Sequence, residues 1–187
     1  ITTDELGIGT WAVTDDIDGP FSLQITNTLG DVTLFQAGAN IPLDSLSVTT
    51  QNGTVNLDGT VDTTGHIDID SSTALNIALA VTSAGGDIDL TGATVTTTDV
   101  TGTITTAGDI NIDAFTTDAT IGAVVTSTGS DVEINAEVNV GLGANVIGDN
   151  VTAQANTGDV NVTAALNNTG GGYDFTGGDQ VVVTENI

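Results

Sequence analysis

The sequence predicts an all-β fold, a parallel β-solenoid with about 21 residues in each coil. Three observations lead to this prediction: a short phrase returns at a nearly constant spacing, the phrase reads as a turn followed by a strand, and no segment has a helical period. The phrase is most regular in mid-chain, where it reads Gly-Asp-Ile-Asp-Leu at 86–90, Gly-Asp-Ile-Asn-Ile at 108–112 and Ser-Asp-Val-Glu-Ile at 130–134. One coil cannot bury its apolar side alone, whereas stacked coils share a continuous core.

Each phrase combines a turn signal with a strand signal. Glycine accepts positive φ and aspartate bonds the backbone just beyond itself, so the Gly-Asp pair favours a turn. The alternation of apolar and polar residues that follows has the period of a strand with one buried face. Asp89, Asn111 and Glu133 are therefore expected to face water. The side chains expected in the core are Ile88, Leu90, Ile110, Ile112, Val132 and Ile134.

Variants of the phrase extend the repeat over most of the chain. They begin at Gly30, Gly53, Gly65 and Gly158, with a degenerate copy at Gly178. From one phrase to the next the steps are 23, 12, 21, 22, 22, 28 and 20 residues. The step of 12 predicts a shortened or skipped side of a coil, and the step of 28 predicts an outward loop or a broader coil within residues 136–157.

Two runs carry a resemblance to a known group of proteins. Thr-Ala-Gly-Asp-Ile-Asn-Ile at 106–112 and Asn-Thr-Gly-Asp-Val-Asn-Val at 156–162 resemble the coils of filamentous-haemagglutinin-like adhesins and other giant bacterial surface proteins. The resemblance covers about residues 27–183 and consists of Gly, Asp, Thr, Val and Asn recurring at a coil period. It implies a right-handed parallel β-helix with an extracellular structural or adhesive role. It carries no catalytic or ligand motif, so it implies no particular site.

The charge composition excludes several classes of partner. The chain has 25 Asp and Glu residues, no Lys or Arg, and a formal charge of −25. Binding to nucleic acid or to anionic membranes requires the cations that the chain lacks, so neither is expected as a partner. The sequence has no apolar run long enough for membrane insertion. Because 39% of the residues are hydrophobic and alternate with polar ones, the chain is expected to fold.

The chain divides into three predicted segments. Residues 1–26 lack the phrase and are interpreted as an N-terminal cap or docking segment, residues 27–165 as the solenoid coils, and residues 166–187 as a C-terminal coil and assembly strand. Aromatic residues gather in the outer segments, and the last strand is apolar without a guarding charge or proline. The predicted assembly interface consists of Trp11, Phe21, Tyr173, Phe175, Val181, Val182 and Val183.

Two groups of acidic residues are candidates for binding Ca²⁺. Stacked coils would bring Asp87, Asp109 and Asp131 about 5 Å apart, where like charges repel by roughly 1 to 3 kcal/mol depending on the dielectric. Either Ca²⁺ bridges these oxygen ligands, or each Asp accepts backbone N–H bonds at its turn while salt screens the charge. In the second group the alternative to a calcium loop is a solvated turn. That group is Asp15, Asp16 and Asp18.

Enzyme activity is not expected. A lyase that uses Lys or Arg as its base is excluded by composition, whereas a two-carboxylate glycosidase is not. A sugar-cleaving cleft would need aromatic platforms and an acid of raised pKa, but the single Trp and the single Tyr lie near the ends. His66 is the only histidine and, with no cysteine in the chain, cannot form a zinc site unaided.

The sequence therefore predicts a structural extracellular protein of the cell surface or matrix. It is expected to be a subunit of a surface filament or a stalk segment of a large adhesin, and to assemble end to end as a homo-oligomer. The alternative is a Ca²⁺-dependent carbohydrate-binding or adhesive module that acts as a monomer. The absence of Met, even at position 1, indicates a processed chain or a segment of a longer precursor.

Overall fold

The computed structural model describes residues 2–8, 10–98 and 102–185, with the backbone alone for residues 2–8. These residues wind into an all-β, parallel solenoid of about eight turns with roughly 21 residues per turn. The predicted fold class is confirmed, and the right-handed sense stays a prediction. Each coil has three sides, separated by corners. Within the described residues there is no helix of the length and apolarity that a membrane crossing requires.

The first side of the coils carries the longest strands. Between its first and last strands, each strand pairs in parallel with its equivalents in the coils before and after it. In chain order these strands are β1 (Thr2–Ile8), β3 (Ser22–Leu29), β5 (Ser45–Thr50), β8 (Ile67–Ile77), β10 (Ile88–Thr97), β12 (Ile110–Ala114), β15 (Val132–Ala136), β18 (Val151–Ala155) and β21 (Tyr173–Gly177).

The second side continues the first around a corner. Strands β8 and β10 are long enough to bend around this corner and serve both sides, so the described strands of the two sides form one sheet of 16 strands. The strands that belong to the second side alone are β2 (Trp11–Val13), β4 (Val32–Leu34), β6 (Val55–Leu57), β13 (Ala119–Ile121), β16 (Val140–Leu142), β19 (Val160–Val162) and β22 (Val181–Val183).

The third side closes each coil with a short strand. Its described strands form a separate parallel sheet of six. They are β7 (Val61–Thr63), β9 (Val81–Ser83), β11 (Thr103–Thr106), β14 (Val124–Ser127), β17 (Val146–Gly148) and β20 (Asn167–Asn168).

The alternation within the strands determines which side chains enter the core. Ile88 pairs with Ile67 in one neighbouring coil and with Ile110 in the other, and all three side chains are completely buried. Columns of Val, Ile and Leu therefore run along the inside of the rod. The six side chains that the phrases predict for the core are each at most 1% exposed, which confirms the predicted orientation.

Small hydroxyl side chains line an inner corner of the coil. At the end of the third side, Thr63 and the equivalent Ser83 of the next coil both donate to the carbonyl oxygen of Gly65, at 2.7 Å. Ser127 donates to the carbonyl oxygen of Gly108 in the same way, also at 2.7 Å. An unpaired hydroxyl in the core would destabilise the fold, so these bonds make polar corners compatible with a buried interior.

The coils are more regular than the spacing of the phrase predicts. The residues that lead into the first side, at positions 66, 87, 109, 131 and 150, are 21, 22, 22 and 19 residues apart. The phrases at Gly30, Gly53 and Gly158 lead instead into the second side. The predicted shortened side and the predicted broader coil within 136–157 are therefore wrong. The phrase changes sides there, and the coil keeps its length.

Both outer segments take part in the repeat. In the N-terminal segment, β1 pairs with β3, β2 pairs with β4, and Ile17 bridges to Ala37 on the third side. In the C-terminal segment, β20, β21 and β22 pair in parallel with β17, β18 and β19 of the preceding coil. The described residues of both segments are thus coils of the rod, and their roles as cap and as assembly strand stay predictions.

A pair of glycines tests how closely the corners stack. At Gly59 an added Cβ atom would lie 1.1 Å from the carbonyl oxygen of Phe35 in the preceding coil, whereas at Gly172 no atom lies within 4 Å. Gly59→Ala forces the two backbones apart, so we expect it to lower the free energy of unfolding by at least about 1–3 kcal/mol. Gly172→Ala should change it by less than about 0.5 kcal/mol. Denaturant titration followed by circular dichroism measures both, and equal losses would contradict the stacking.

Candidate functional site

A column of polar side chains follows the corner that leads into the first side. Each side chain accepts a hydrogen bond from the backbone N–H of the next member, one coil further along. The bond is 3.2 Å long at His66 Nδ1 and 3.0 to 3.1 Å long at the Oδ1 atoms of the three Asp members. This corner column consists of His66, Asp87, Asp109, Asp131 and Asn150.

The corner column contains one of the two predicted calcium groups. Asp87, Asp109 and Asp131 lie in consecutive coils, and their hydrogen bonds correspond to the cation-free alternative, with each carboxylate bonded to the next coil rather than to its own turn. Among the residues that the structure describes, no group of three or more His, Asp or Glu side chains is arranged to hold a metal ion. Ca²⁺ binding therefore stays a prediction.

A second column of the same kind lies at the corner that leads into the second side. The N–H of Asn139 donates to Oδ1 of Asp118 at 3.0 Å, and the N–H of Asp159 donates to Oδ1 of Asn139 at 2.9 Å. The side-chain amide of Gln180 then donates to Oδ2 of Asp159 at 3.2 Å. Sequence reasoning missed this column. Its signal is a polar residue directly before a short strand, repeated at the coil spacing.

In the second predicted calcium group, Asp18 connects its own loop to the loop at Asn40 and Ile41 through hydrogen bonds. The carboxylate of Asp18 accepts hydrogen bonds from the side chain of Asn40 at 2.8 Å and from the backbone N–H groups of Asn40 and Ile41 at 3.1 and 3.4 Å. These bonds, chiefly the one from the side chain of Asn40, lower the pKa of Asp18. Asp15 and Asp16 are exposed to solvent.

The predicted assembly residues at the C-terminal end are, with one exception, inward-facing. Val181 and Val183 pair with the completely buried Val160 and Val162, yet they are 42% and 38% exposed because no described coil follows them. Val182 lies between them and points outward. Tyr173 and Phe175 occupy the equivalent inward positions of the first side, where their rings stack with centroids 5.8 Å apart.

The N-terminal end has a similar composition. Trp11 and Val13 pair with the buried Val32 and Leu34, so they also occupy inward positions. Both are partly buried against the core, as is Phe21. The predicted interface residues thus fall at the two ends of the rod, and most of them occupy inward positions of the first and last described coils.

A groove lies on the outer face of the first side, where the strands reach the corner to the second side. Its volume is about 320 Å³. Phe115, the residue that follows β12, and Ala136 form the apolar part of the lining; Phe115 is 46% exposed, whereas Ala136 is buried. The other lining side chains are polar. They include Asp113, Glu133, Asn135, Glu137 and Gln154, with Asn156 beside them.

The carboxylates of the groove repel each other and are partly held by amides. Burial, and then the negative charge of Glu133, raises the pKa of Asp113. The side-chain amide of Asn135 donates to Oε1 of Glu133 at 2.8 Å, and that of Asn156 donates to Oε2 of Glu137 at 2.9 Å. Sequence reasoning missed this groove. The alternation in the strands does place Phe115 outward, but the depth of the groove depends on three coils at once.

Comparisons with protein-family models, with curated proteins and with solved structures find no significant match to this chain. The features of the molecule that bear on its function are the ends of the rod, the corner columns and the groove.

Two substitutions of Asp109 in the corner column distinguish a carboxylate that accepts a structural hydrogen bond from one that binds Ca²⁺. Asp109→Asn keeps an oxygen that can accept the N–H of Asp131, as Asn150 does for Gly172, and it removes a like charge from the column. We expect this variant to be as stable as the parent or slightly more so. Asp109→Ala loses the acceptor and should be less stable by about 1 kcal/mol. Thermal melts with Ca²⁺ and with EDTA measure both; a Ca²⁺-dependent stability lost in Asp109→Asn would support a bridging ion instead.

Three outward carboxylates make the rod more stable in mild acid. Burial raises the pKa of Asp62, Asp68 and Asp113, so between the unfolded and the folded pKa the native state binds more protons than the unfolded state. Stability from these groups is lost as the pH rises through that window. The lowered pKa of Asp18 has the opposite effect on stability. Its contribution to stability is present above the unfolded pKa and is lost as the pH falls through the lower, folded pKa.

We therefore expect the melting temperature to be higher at about pH 4.5 than at about pH 7. Asp113→Asn cannot titrate, so the difference between the two pH values should be smaller in that variant. Thermal melts followed by circular dichroism measure both. A melting temperature that falls steadily from neutral to mildly acidic pH would contradict the assignment.

Proposed function

We propose that this chain is a structural extracellular rod, a subunit of a surface filament in which copies join end to end. The same geometry would serve a stalk segment of a large adhesin, where the next coil belongs to the same chain. The observation that carries the proposal is the open C-terminal end of the core. There, Val181 and Val183 are exposed to water, although the coils between the two ends bury the side chains at the equivalent positions.

The open end favours a further coil as its partner. Among the described strands, β21 and β22 each pair on one edge, with β18 and β19, so the backbone groups of the other edge are unpaired. An unpaired edge is a template for another strand. A strand stacked there would also cover Val181, Val183 and Phe175, and full burial of such a side chain contributes about 1.5–3 kcal/mol.

The N-terminal coil of a second copy is the proposed occupant. Among the described strands, β1 pairs with β3 and β2 pairs with β4, each in the following coil, so no described strand lies on the side of this coil that would face β21 and β22. Trp11 and Val13 continue the inward columns of the second side, the side to which Val181 and Val183 belong. A head-to-tail contact of this kind does not close on itself, so it generates a filament.

The extracellular setting is supported by the composition. With no Lys or Arg, trypsin-like proteases have no cleavage site in the chain, even when it is unfolded. The high acidity also keeps parallel rods apart sideways, because like charges on neighbouring rods repel. Growth along the axis is then favoured over lateral clumping.

The end contact can be tested with two variants of the same strand. Val183→Asp places a charge on the inward, end-facing position, whereas Val182→Asp places the same charge on the outward face. We expect Val183→Asp to weaken assembly at least about tenfold, equivalent to about 1.4 kcal/mol at the contact. Val182→Asp should leave assembly close to that of the parent. Negative-stain images and light scattering over a range of protein concentrations measure filament length and mass.

Circular dichroism and thermal melts of both variants confirm that the coils remain folded. Equal assembly of the two variants would contradict the proposed contact surface. A parent chain that stays monomeric at every concentration, with and without Ca²⁺, would contradict end-to-end joining itself.

A further inference from the structure

The groove at Phe115 has a feature that the filament does not use. Phe115 lies at an outward position, and its equivalents in the next two coils are Glu137 and Asn156, which are polar. Nearly half of its surface is exposed, although the ring would gain stability from burial. An exposed aromatic ring inside a concave site offers a ligand an apolar surface on which to pack.

The charge of the groove narrows the class of ligand. Three carboxylates line it, those of Asp113, Glu133 and Glu137. Because the chain contains no Lys or Arg, counter-charge in the groove comes from dissolved ions or from a bound cationic molecule. The ring of Phe115 adds to this preference, since the face of an aromatic ring attracts cations. A ligand that is both cationic and apolar on one face would satisfy the carboxylates and the ring together.

The amides of the groove add a requirement for hydroxyl groups. Asn135 and Asn156 each use their side-chain N–H on a neighbouring carboxylate, which leaves their carbonyl oxygens as acceptors. Gln154 supplies a further donor and acceptor. A lysine side chain has donors at a single ammonium group and no acceptor, so it could not accept a hydrogen bond from the side-chain amide of Gln154, whereas a sugar hydroxyl could.

We propose that this groove binds a protonated amino sugar, a glucosamine-type unit of a polysaccharide. The apolar face of the sugar ring lies on Phe115, the ammonium group lies among Asp113, Glu133 and Glu137, and the hydroxyl groups meet Gln154 and its neighbouring amides. The volume of about 320 Å³ is at the small end of the range for ligand pockets, which suits one sugar ring. Binding requires neither the ends of the rod nor Ca²⁺.

Titration calorimetry with short oligosaccharides tests this site. The probes are a glucosamine tetramer, an N-acetylglucosamine tetramer, a glucose tetramer with the same linkage, and tetralysine. We expect the glucosamine tetramer to bind most tightly, because it alone combines the ammonium group with the hydroxylated ring. Equal binding of either neutral tetramer would overturn the amino-sugar assignment. Tighter binding of tetralysine would overturn it in favour of a basic peptide.

Variants of two phenylalanines distinguish specific binding in the groove from general electrostatic attraction to an acidic rod. Phe115→Ala removes the ring without altering the charge, and Phe35→Ala removes a ring that is similarly exposed, at 44%, outside the groove. We expect Phe115→Ala to weaken binding of the glucosamine tetramer about tenfold, because the variant loses the aromatic surface on which the apolar face of the sugar packs. Phe35→Ala should leave the affinity unchanged. Equal affinities of the two variants would overturn the site, because binding would then be non-specific.

Two further measurements complete the test. The chain has four Phe residues, so ring resonances in a nuclear magnetic resonance spectrum can be assigned from the variants, and the sugar should shift those of Phe115 and leave those of Phe35 in place. Binding should also be the same in Ca²⁺ and in EDTA. Loss of binding in EDTA would overturn direct contact between the ammonium group and the carboxylates, since a bridging metal ion would then be required.

Discussion

The structure depends on one constraint, which is that every coil must return the chain to the register of the coil before it. Inward side chains then stack on their equivalents about 4.8 Å away and share one core. In the regular part of the rod the coils close after 19 to 22 residues, and the differences are taken up between the strands. The corner columns follow from the same constraint, since a side chain at a corner always finds the equivalent N–H group one coil further on.

Amide side chains help to make a strongly acidic rod possible without lysine or arginine. On the first side, the amide of Asn111 donates to Asp89 at 2.7 Å, and the amide of Asn135 donates to Glu133 at 2.8 Å. The asparagine side chains thus donate hydrogen bonds to these carboxylates, as lysine or arginine does in other proteins, and no second charge has to be desolvated. Where amides are fewer, as around Asp68, burial and the charges of Asp89 and Asp70 raise the pKa of the carboxyl group.

Much of the fold can be predicted from the sequence, because the inward and outward positions follow from strict alternation. The orientation of Ile110 and Asn111 was predicted in this way. The side of the coil to which a phrase belongs could not be predicted, since Asp109 and Asp159 precede strands of different sides with the same local pattern. The groove escaped prediction for a related reason: Phe115 and Gln154 are 39 residues apart in sequence and become neighbours only when the register of three coils is known.

The near-constant spacing of the inter-coil hydrogen bonds has a consequence for folding. Because each coil contacts chiefly its immediate neighbours, stability is close to a sum of coil and interface contributions, and folding can nucleate in any pair of coils and spread in both directions. Damage to one coil would then divide the rod into two cooperative units instead of melting it as a whole. Under tension such a molecule unfolds stepwise from its ends, and the released chain can refold on the coils that remain.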